Sequence, residues 1–228
     1  MEKPFGVAIR ILVRFFSVFA ICLAVIAGCT GRQKGKKVGK SEISQAKDSS
    51  YIFDGKTLNG WEITNFGPQG PVFVSGDEII LGMGDGCTGI TWKKDFPLTG
   101  YEVTLEAKRV EGNDFFCGIT FPAGKEPCSL IVGGWGGTIV GLSSINGMDA
   151  SENETTTLRH FEKNRWYKIR LKVTEQTIQA WIDDELVVDF TIDSNILSIR
   201  PEVELSKPFG IASWRTTAAL RNIRLTRK

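Results

Sequence analysis

The chain has 228 residues, with 28 Lys and Arg set against 26 Asp and Glu. The charge is unevenly placed: residues 30–50 carry six basic and two acidic side chains, net +4, whereas residues 51–228 carry 19 basic and 23 acidic, net −4. The slightly basic pI of 8.2 therefore comes from the first 50 residues, and the remainder lacks the basic surface that nucleic-acid binding requires.

From the start of the chain, Lys3, Arg10 and Arg14 precede an apolar run from Phe15 to Ala27. That run is short for a bilayer span and has the charged-then-apolar order of an export signal. It ends in Ile26-Ala27-Gly28-Cys29, which resembles the lipobox of bacterial lipoproteins. This predicts a signal peptide over residues 1–28 and lipid attachment at Cys29; a transmembrane anchor and a secreted chain with an incidental cysteine are the alternatives. Thr30 in place of Asp after the cysteine favours an exported protein of the outer membrane or periplasm. Residues 29–50 read as a flexible basic tether with few apolar side chains, and its lysines can lie on anionic lipid beside the acylated Cys29.

Residues 51–228 read as one all-β domain, a sandwich of two antiparallel sheets. Tyr101, Val103, Leu105 and Ala107 alternate with Glu102, Thr104, Glu106 and Lys108, the pattern of a strand with one buried face. Tyr167, Ile169, Leu171 and Val173 repeat it, and residues 177–190 form a hairpin whose Asp183-Asp184 pair is a turn rather than a metal site. Phe53, Trp61, Phe73, Phe96, Phe116, Trp166 and Phe209 are the expected core aromatics. Helix-length periodicity, P-loops, dinucleotide-binding glycine patterns and Cys-x-x-Cys spacings are missing from the sequence, so no cofactor is implied by motif.

Cys87, Cys117 and Cys128 fall in this domain, where an exported protein can keep disulfides. Cys117 and Cys128 flank the turn-rich Pro122–Pro127 stretch, which predicts a disulfide between facing strands; two buried thiols are the alternative. Cys87 is left over, and no motif joins it to His160, the chain's one histidine.

Two regions carry candidate chemistry. Four glycines surround Trp135 in Gly133-Gly134-Trp135-Gly136-Gly137, which lets an indole ring lie open for a sugar to stack on, or lets it fold into the core. Further on, Asp149, Asn153 and Glu154 are polar candidates for substrate binding, and Glu152 and His160 for proton transfer. A solvated acidic loop explains the same residues. Asn153-Glu154-Thr155 also matches a glycosylation sequon, which a bacterial export signal makes idle.

Phe53-Asp54-Gly55-Lys56-Thr57-Leu58-Asn59-Gly60-Trp61 at the domain's start, Arg165-Trp166-Tyr167-Lys168-Ile169-Arg170-Leu171 and Ala180-Trp181-Ile182-Asp183 in its middle, and Pro208-Phe209-Gly210-Ile211-Ala212-Ser213-Trp214 with Leu220–Leu225 at its end together resemble the 3-keto-disaccharide hydrolase family. The resemblance spans residues 51–228. It implies a concanavalin A-like jelly-roll sandwich and a hydrolase or lyase acting on 3-keto-glycosides through C2 proton abstraction, elimination and hydration. It also singles out Glu106, which resembles a family glutamate on the polar side of its strand, with Arg109, Asn113 and Asp114 at the strand's end. Glu106, Glu152 or His160 would then move protons, and Arg109 or a divalent metal ion would stabilise the enediolate. A salt bridge to a neighbouring strand is the structural alternative for Glu106. Where many members carry Asn-Ser-Gly-Ile and a following Arg, this chain has Phe116-Cys117-Gly118-Ile119-Thr120-Phe121, which implies a divergent branch. A non-catalytic carbohydrate-binding module and a structural lipoprotein of the cell envelope are the other two functions consistent with the sequence; a carbohydrate ligand and the membrane are the expected partners.

Overall fold

A computed structural model describes residues 49–228; the expected signal peptide, Cys29 and most of the tether lie outside the described residues. The strands are β1 (Ser49–Tyr51), β2 (Trp61–Ile63), β3 (Val72–Ser75), β4 (Glu78–Leu81), β5 (Cys87–Trp92), β6 (Tyr101–Glu111), β7 (Cys117–Ala123) and β8 (Glu126–Gly134). They continue with β9 (Ile139–Ser143), β10 (Thr157–Leu158), β11 (Tyr167–Val173), β12 (Thr177–Ile182), β13 (Glu185–Thr191), β14 (Gly210–Trp214) and β15 (Thr217–Arg227). A single 3₁₀ turn, Pro201–Ser206, is the helical element among the described residues. One sheet runs β13-β12-β11-β6-β15-β4-β3 with β1 added along β15; the other runs β10-β9-β8-β7-β14-β5-β2. The fold is the expected all-β antiparallel sandwich.

The first sheet has one wet face. Tyr101, Val103, Leu105 and Ala107 on β6 and Tyr167, Ile169, Leu171 and Val173 on β11 are all buried in the common core, while the residues between them face outward. Each large side chain buried in this way contributes about 1.5–3 kcal/mol of transfer free energy. The Asp183-Asp184 pair turns the β12–β13 hairpin with φ of 52° and 68°, a left-handed geometry that Asp tolerates through local hydrogen bonds.

The opening motif is explained by turn chemistry. Asp54 Oδ1 accepts from the backbone N–H groups of Lys56 and Thr57 at 2.8 and 2.7 Å, and Trp61 Nε1 donates to the Ile52 carbonyl at 2.7 Å. Gly60 has φ of 88°, and a Cβ there would sit 2.6 Å from the Trp92 ring. The indole of Trp61 then meets Trp92 at 5.1 Å and Phe209 at 5.8 Å, and Phe209 stacks on Phe96 at 4.3 Å. Phe53, Trp61, Phe96, Phe116 and Phe209 are core residues as expected.

Phe73 and Trp166 are not. The β3 register turns Val72 and Val74 toward the core, so Phe73 faces out and is 47% exposed. Trp166 lies on the polar outer face, between Lys108 Nζ at 4.4 Å and the Arg221 guanidinium at 4.1 Å. The Cys117–Cys128 disulfide is a further correction: all three domain cysteines are free and buried. The tight β7–β8 turn places Phe121 opposite Cys128 and Val132 opposite Cys117. The two sulfurs are thus separated by four strand residues, about 13 Å at the usual rise, well beyond disulfide reach.

The second sheet is covered on both sides, which is why its strands lack period-two polarity. Cys117, Ile119 and Phe121 of β7 and Cys128, Leu130 and Val132 of β8 face the core. On the opposite side the 144–156 loop and the 193–206 segment fold over it. Ser144 and Ser198 exchange backbone hydrogen bonds of 2.7 and 3.1 Å, and Leu205 accepts from Thr91 Oγ1 at 3.0 Å.

Candidate functional site

A cleft of about 260 Å³ opens on the outer face of the second sheet. Cys87 of β5, Ser129 and Ile131 of β8, Ser143 of β9 and Trp214 of β14 line it, and its other residues come from loops. Asp114 and Phe115 precede β7, Trp135 stands between β8 and β9, and Arg200, Glu202 and Val203 belong to the segment around the 3₁₀ turn.

The aromatic wall depends on a glycine. Phe115 lies against Gly118, where a Cβ would approach the ring to 3.0 Å. Asp114 fixes this bend: its Oδ1 accepts from the Phe115 N–H at 2.7 Å, and its own N–H donates to Thr216 Oγ1 at 3.1 Å. The other carboxylate oxygen of Asp114 accepts from the Gly136 N–H at 3.5 Å, a long bond that leaves that oxygen largely free. Trp135 is 41% exposed and adopts φ of 47°, so the glycine-rich loop presents an open indole in the cleft. Trp214 is half-buried and adds a second indole to the lining.

The cation of the cleft is shared. Arg200 donates to Asp149, and through Nη2 to Glu202 Oε1 at 3.0 Å. The hydrogen bond from Arg200, with its charge, lowers the Glu202 pKa from its usual 4.5, while bonding to Glu202 and Asp149 raises that of Arg200. Asp149 in turn accepts from Ser143 Oγ and Ser144 Oγ, both at 3.1 Å, linking Arg200 to the end of β9. Burial pushes the Cys87 thiol up to about 12, with Glu202 nearby adding to the effect, so Cys87 is a neutral wall group near pH 7.

Of the residues singled out from sequence, Asp114 and Trp135 line the cleft and Asp149 holds its cation. Asn153 is buried and structural: its amide donates to the carbonyls of Leu142, Met148 and Asp149, and its oxygen accepts from the Thr155 N–H and hydroxyl. The sequon is therefore closed in the folded domain. Glu152, Glu154 and His160 are exposed and outside the cleft lining. Glu106 lies on the outer face of the other sheet, accepting from Arg221 Nε at 2.7 Å and Asn222 Nδ2 at 3.2 Å. Arg109 points inward and is 5% exposed. Among the described residues no group of three or more His, Cys, Asp or Glu side chains could hold a metal ion, and the cleft itself offers two carboxylates, of which Glu202 is held by Arg200 and Asp114 has one oxygen on the Phe115 N–H. The residues present thus do not fit a metal centre.

Sequence reasoning missed Arg200, Glu202, Trp214 and the placement of Cys87. Arg200-Pro201-Glu202 is the one local signal for them, opposite charges flanking a proline in a stretch without strand pattern.

Residues 48–226 match the family model described as a 3-keto-alpha-glucoside-1,2-lyase-like domain. The chain belongs to this family. No curated protein matches the sequence. Among solved structures, the transglycosylase Crh5 in complex with NAG is 14% identical, with a TM-score of 0.55 over 79% of this chain and 83% of that one. A provisionally assigned glycosyl hydrolase from Parabacteroides distasonis ATCC 8503 is 13% identical, with a TM-score of 0.52 over 79% and 94%. A Bacillus subtilis protein of unknown function with a galectin-like fold is 12% identical, at 0.52 over 75% and 91%. These likenesses establish a fold common to the family member and its neighbours.

Proposed function

We propose that this domain acts on carbohydrate in the cleft of the second sheet, cleaving 3-keto-glycosides by elimination and hydration. Family membership supports the reaction class, and one observation supports the location. The open indole of Trp135 shares a single cleft with the carboxylate of Asp114 and the guanidinium of Arg200.

In this reading the sugar ring stacks on Trp135 while Ser129 and Ser143 bond its hydroxyls. The C3 ketone acidifies the C2 proton, which Asp114 removes with its less engaged oxygen. The C2–H electrons move onto the ketone oxygen, where Arg200 stabilises the enolate. Collapse of the enolate restores the ketone, forms the C1–C2 double bond and expels the glycosidic oxygen, which takes up the proton held by Asp114. Water then adds across the double bond. Glu202 is not the acid: Arg200 keeps it ionised near neutral pH, and its part is to hold Arg200 in place.

A non-catalytic carbohydrate-binding role is the second reading. It is favoured by the hydrogen bond from the Phe115 N–H, which already holds one Asp114 oxygen and favours the ionised carboxylate over the acid that must reprotonate the leaving group. Incubating the full chain with 3-keto-glucosides and with the unoxidised disaccharides separates the two. Release of 3-keto-glucose from the oxidised substrates alone supports the enzyme; binding of either sugar without product supports the module.

The same proposal has the domain exported and held at the envelope through a lipid on Cys29. Its test is metabolic labelling with radioactive palmitate, which Cys29→Ala should abolish.

A further inference from the structure

On β6 the core-facing series Tyr101, Val103, Leu105 and Ala107 continues to Arg109, where the pattern calls for another apolar side chain. The Arg109 guanidinium is buried, sits 5.3 Å from the Phe116 ring, and leaves its Nε without a partner. Its Nη2 donates to the Gly133 carbonyl at 3.2 Å and to the Gly137 carbonyl at 3.0 Å. Those two carbonyls bracket Trp135. Both glycines are needed for this approach: a Cβ on Gly133 would lie 2.6 Å from Nη2, and one on Gly137 would lie 3.1 Å from Nη1, with φ of 77° and 105° at the two positions.

From the cleft side the only side-chain contact to this backbone among the described residues is the long 3.5 Å approach of the Gly136 N–H to Asp114, so the short bonds that hold the loop come from Arg109. Trp135 itself holds φ of 47°, a left-handed conformation that costs a bulky residue about 1–3 kcal/mol and persists only where surrounding contacts fix it. Burying a guanidinium with no directly bonded carboxylate is also costly. Here the bonds that offset that cost all fall on the backbone flanking Trp135.

We infer that Arg109 is a positioning residue: from inside the sandwich it holds the 133–137 loop in the conformation that presents the Trp135 indole to ligand. It touches no ligand, and removing it loosens the platform and leaves the chemistry of the cleft in place. The inference rests on the reading of Trp135 as a sugar-stacking residue, but its placement of the ring can be measured with no sugar present.

The test uses the full chain labelled with 5-fluorotryptophan, whose six indoles give separate ¹⁹F lines, with Trp135→Phe assigning the line of interest. In Arg109→Lys and Arg109→Met the Trp135 line should shift or broaden while those of Trp61, Trp92, Trp166 and Trp181 hold. With sugar added, KM should rise about 10-fold with kcat changed less than about 3-fold, the split expected when binding and not chemistry is lost. If Arg109→Met fails to fold, Arg109→Lys decides, because an ammonium retains the charge but not the two-carbonyl fork. A Trp135 line unchanged from wild type overturns the inference, as does collapse of all six lines in Arg109→Lys, which would make Arg109 a residue of general stability. A wild type that binds no sugar while Trp135 moves in the variants would instead defeat the carbohydrate reading and leave the positioning role standing.

Discussion

Arg200 donates to Asp149 across 51 residues of sequence, tying the segment before the 3₁₀ turn to the loop after β9. Arg200 is nearly half-exposed, so the pair adds little to stability; exposed ion pairs contribute about 0–1 kcal/mol. Its consequence is geometric. Asp149→Asn keeps an acceptor for Ser143 and Ser144 but loses the charge that holds Arg200, so the melting temperature should change little. Turnover or sugar affinity should fall about 10-fold, in keeping with loss of one charge-assisted hydrogen bond. Melting curves and titrations on the same preparations check this.

Gly118 supports Phe115 through the absence of a side chain. Gly118→Ala should push the ring into the cleft, raise KM, and cost about 1–3 kcal/mol as overpacking against a fixed neighbour. Urea unfolding and steady-state kinetics report the two effects separately.

The acid limb of stability should carry the mark of Glu202. Its folded pKa is lowered, so its stabilising contribution is present above 4.5 and is lost as pH falls through the folded value. Unfolding midpoints of wild type and Glu202→Gln should therefore differ at pH 6 and converge as pH drops below 4.5. A difference that grows on acidification would contradict the ion pair.

Burial holds all three domain thiols protonated near neutrality, Cys87 and Cys128 up to about 12 and Cys117 higher still. Iodoacetamide at pH 8 should leave them unmodified in the native chain and modify all three after denaturation, as peptide mass analysis can follow. Cys87→Ala should retain turnover.

Phe209→Ala should cost about 3–5 kcal/mol, since the ring is fully buried among Trp61 and Phe96. Phe73→Ala, on the exposed side of β3, should stay within about 0.5 kcal/mol. Parallel denaturation curves check both.

The first sheet could be read from sequence because one of its faces meets water, which writes period two into β6 and β11. The second sheet could not, since segments from residues 144–156 and 193–206 cover its outer side and Cys117–Ala123 is buried throughout. Aromatic residues misled where a cation stem or an edge strand, and not the core, was their neighbour, as at Trp166 and Phe73. The disulfide expectation failed on register, which two cysteines flanking a turn do not specify. At the site, Trp135 was visible because four glycines around one indole are locally unusual. Asp149 was visible as a titratable group but not as the partner of Arg200. Asp114 was visible at the end of β6 but not as a neighbour of Cys87, Glu202 and Trp214, because β14 pairs with β7 and β5 across 90 or more positions and leaves no local pattern.

The most direct test of the cleft as the site of chemistry is release of 3-keto-glucose from a 3-keto-glucoside by the full chain, comparing Asp114→Asn with Glu106→Gln. The account predicts a loss of about 10²–10⁴-fold in kcat for Asp114→Asn with the sugar still bound, and near wild-type turnover for Glu106→Gln. Turnover that survives in Asp114→Asn but vanishes in Glu106→Gln would contradict it and move the chemistry to the outer face of the other sheet.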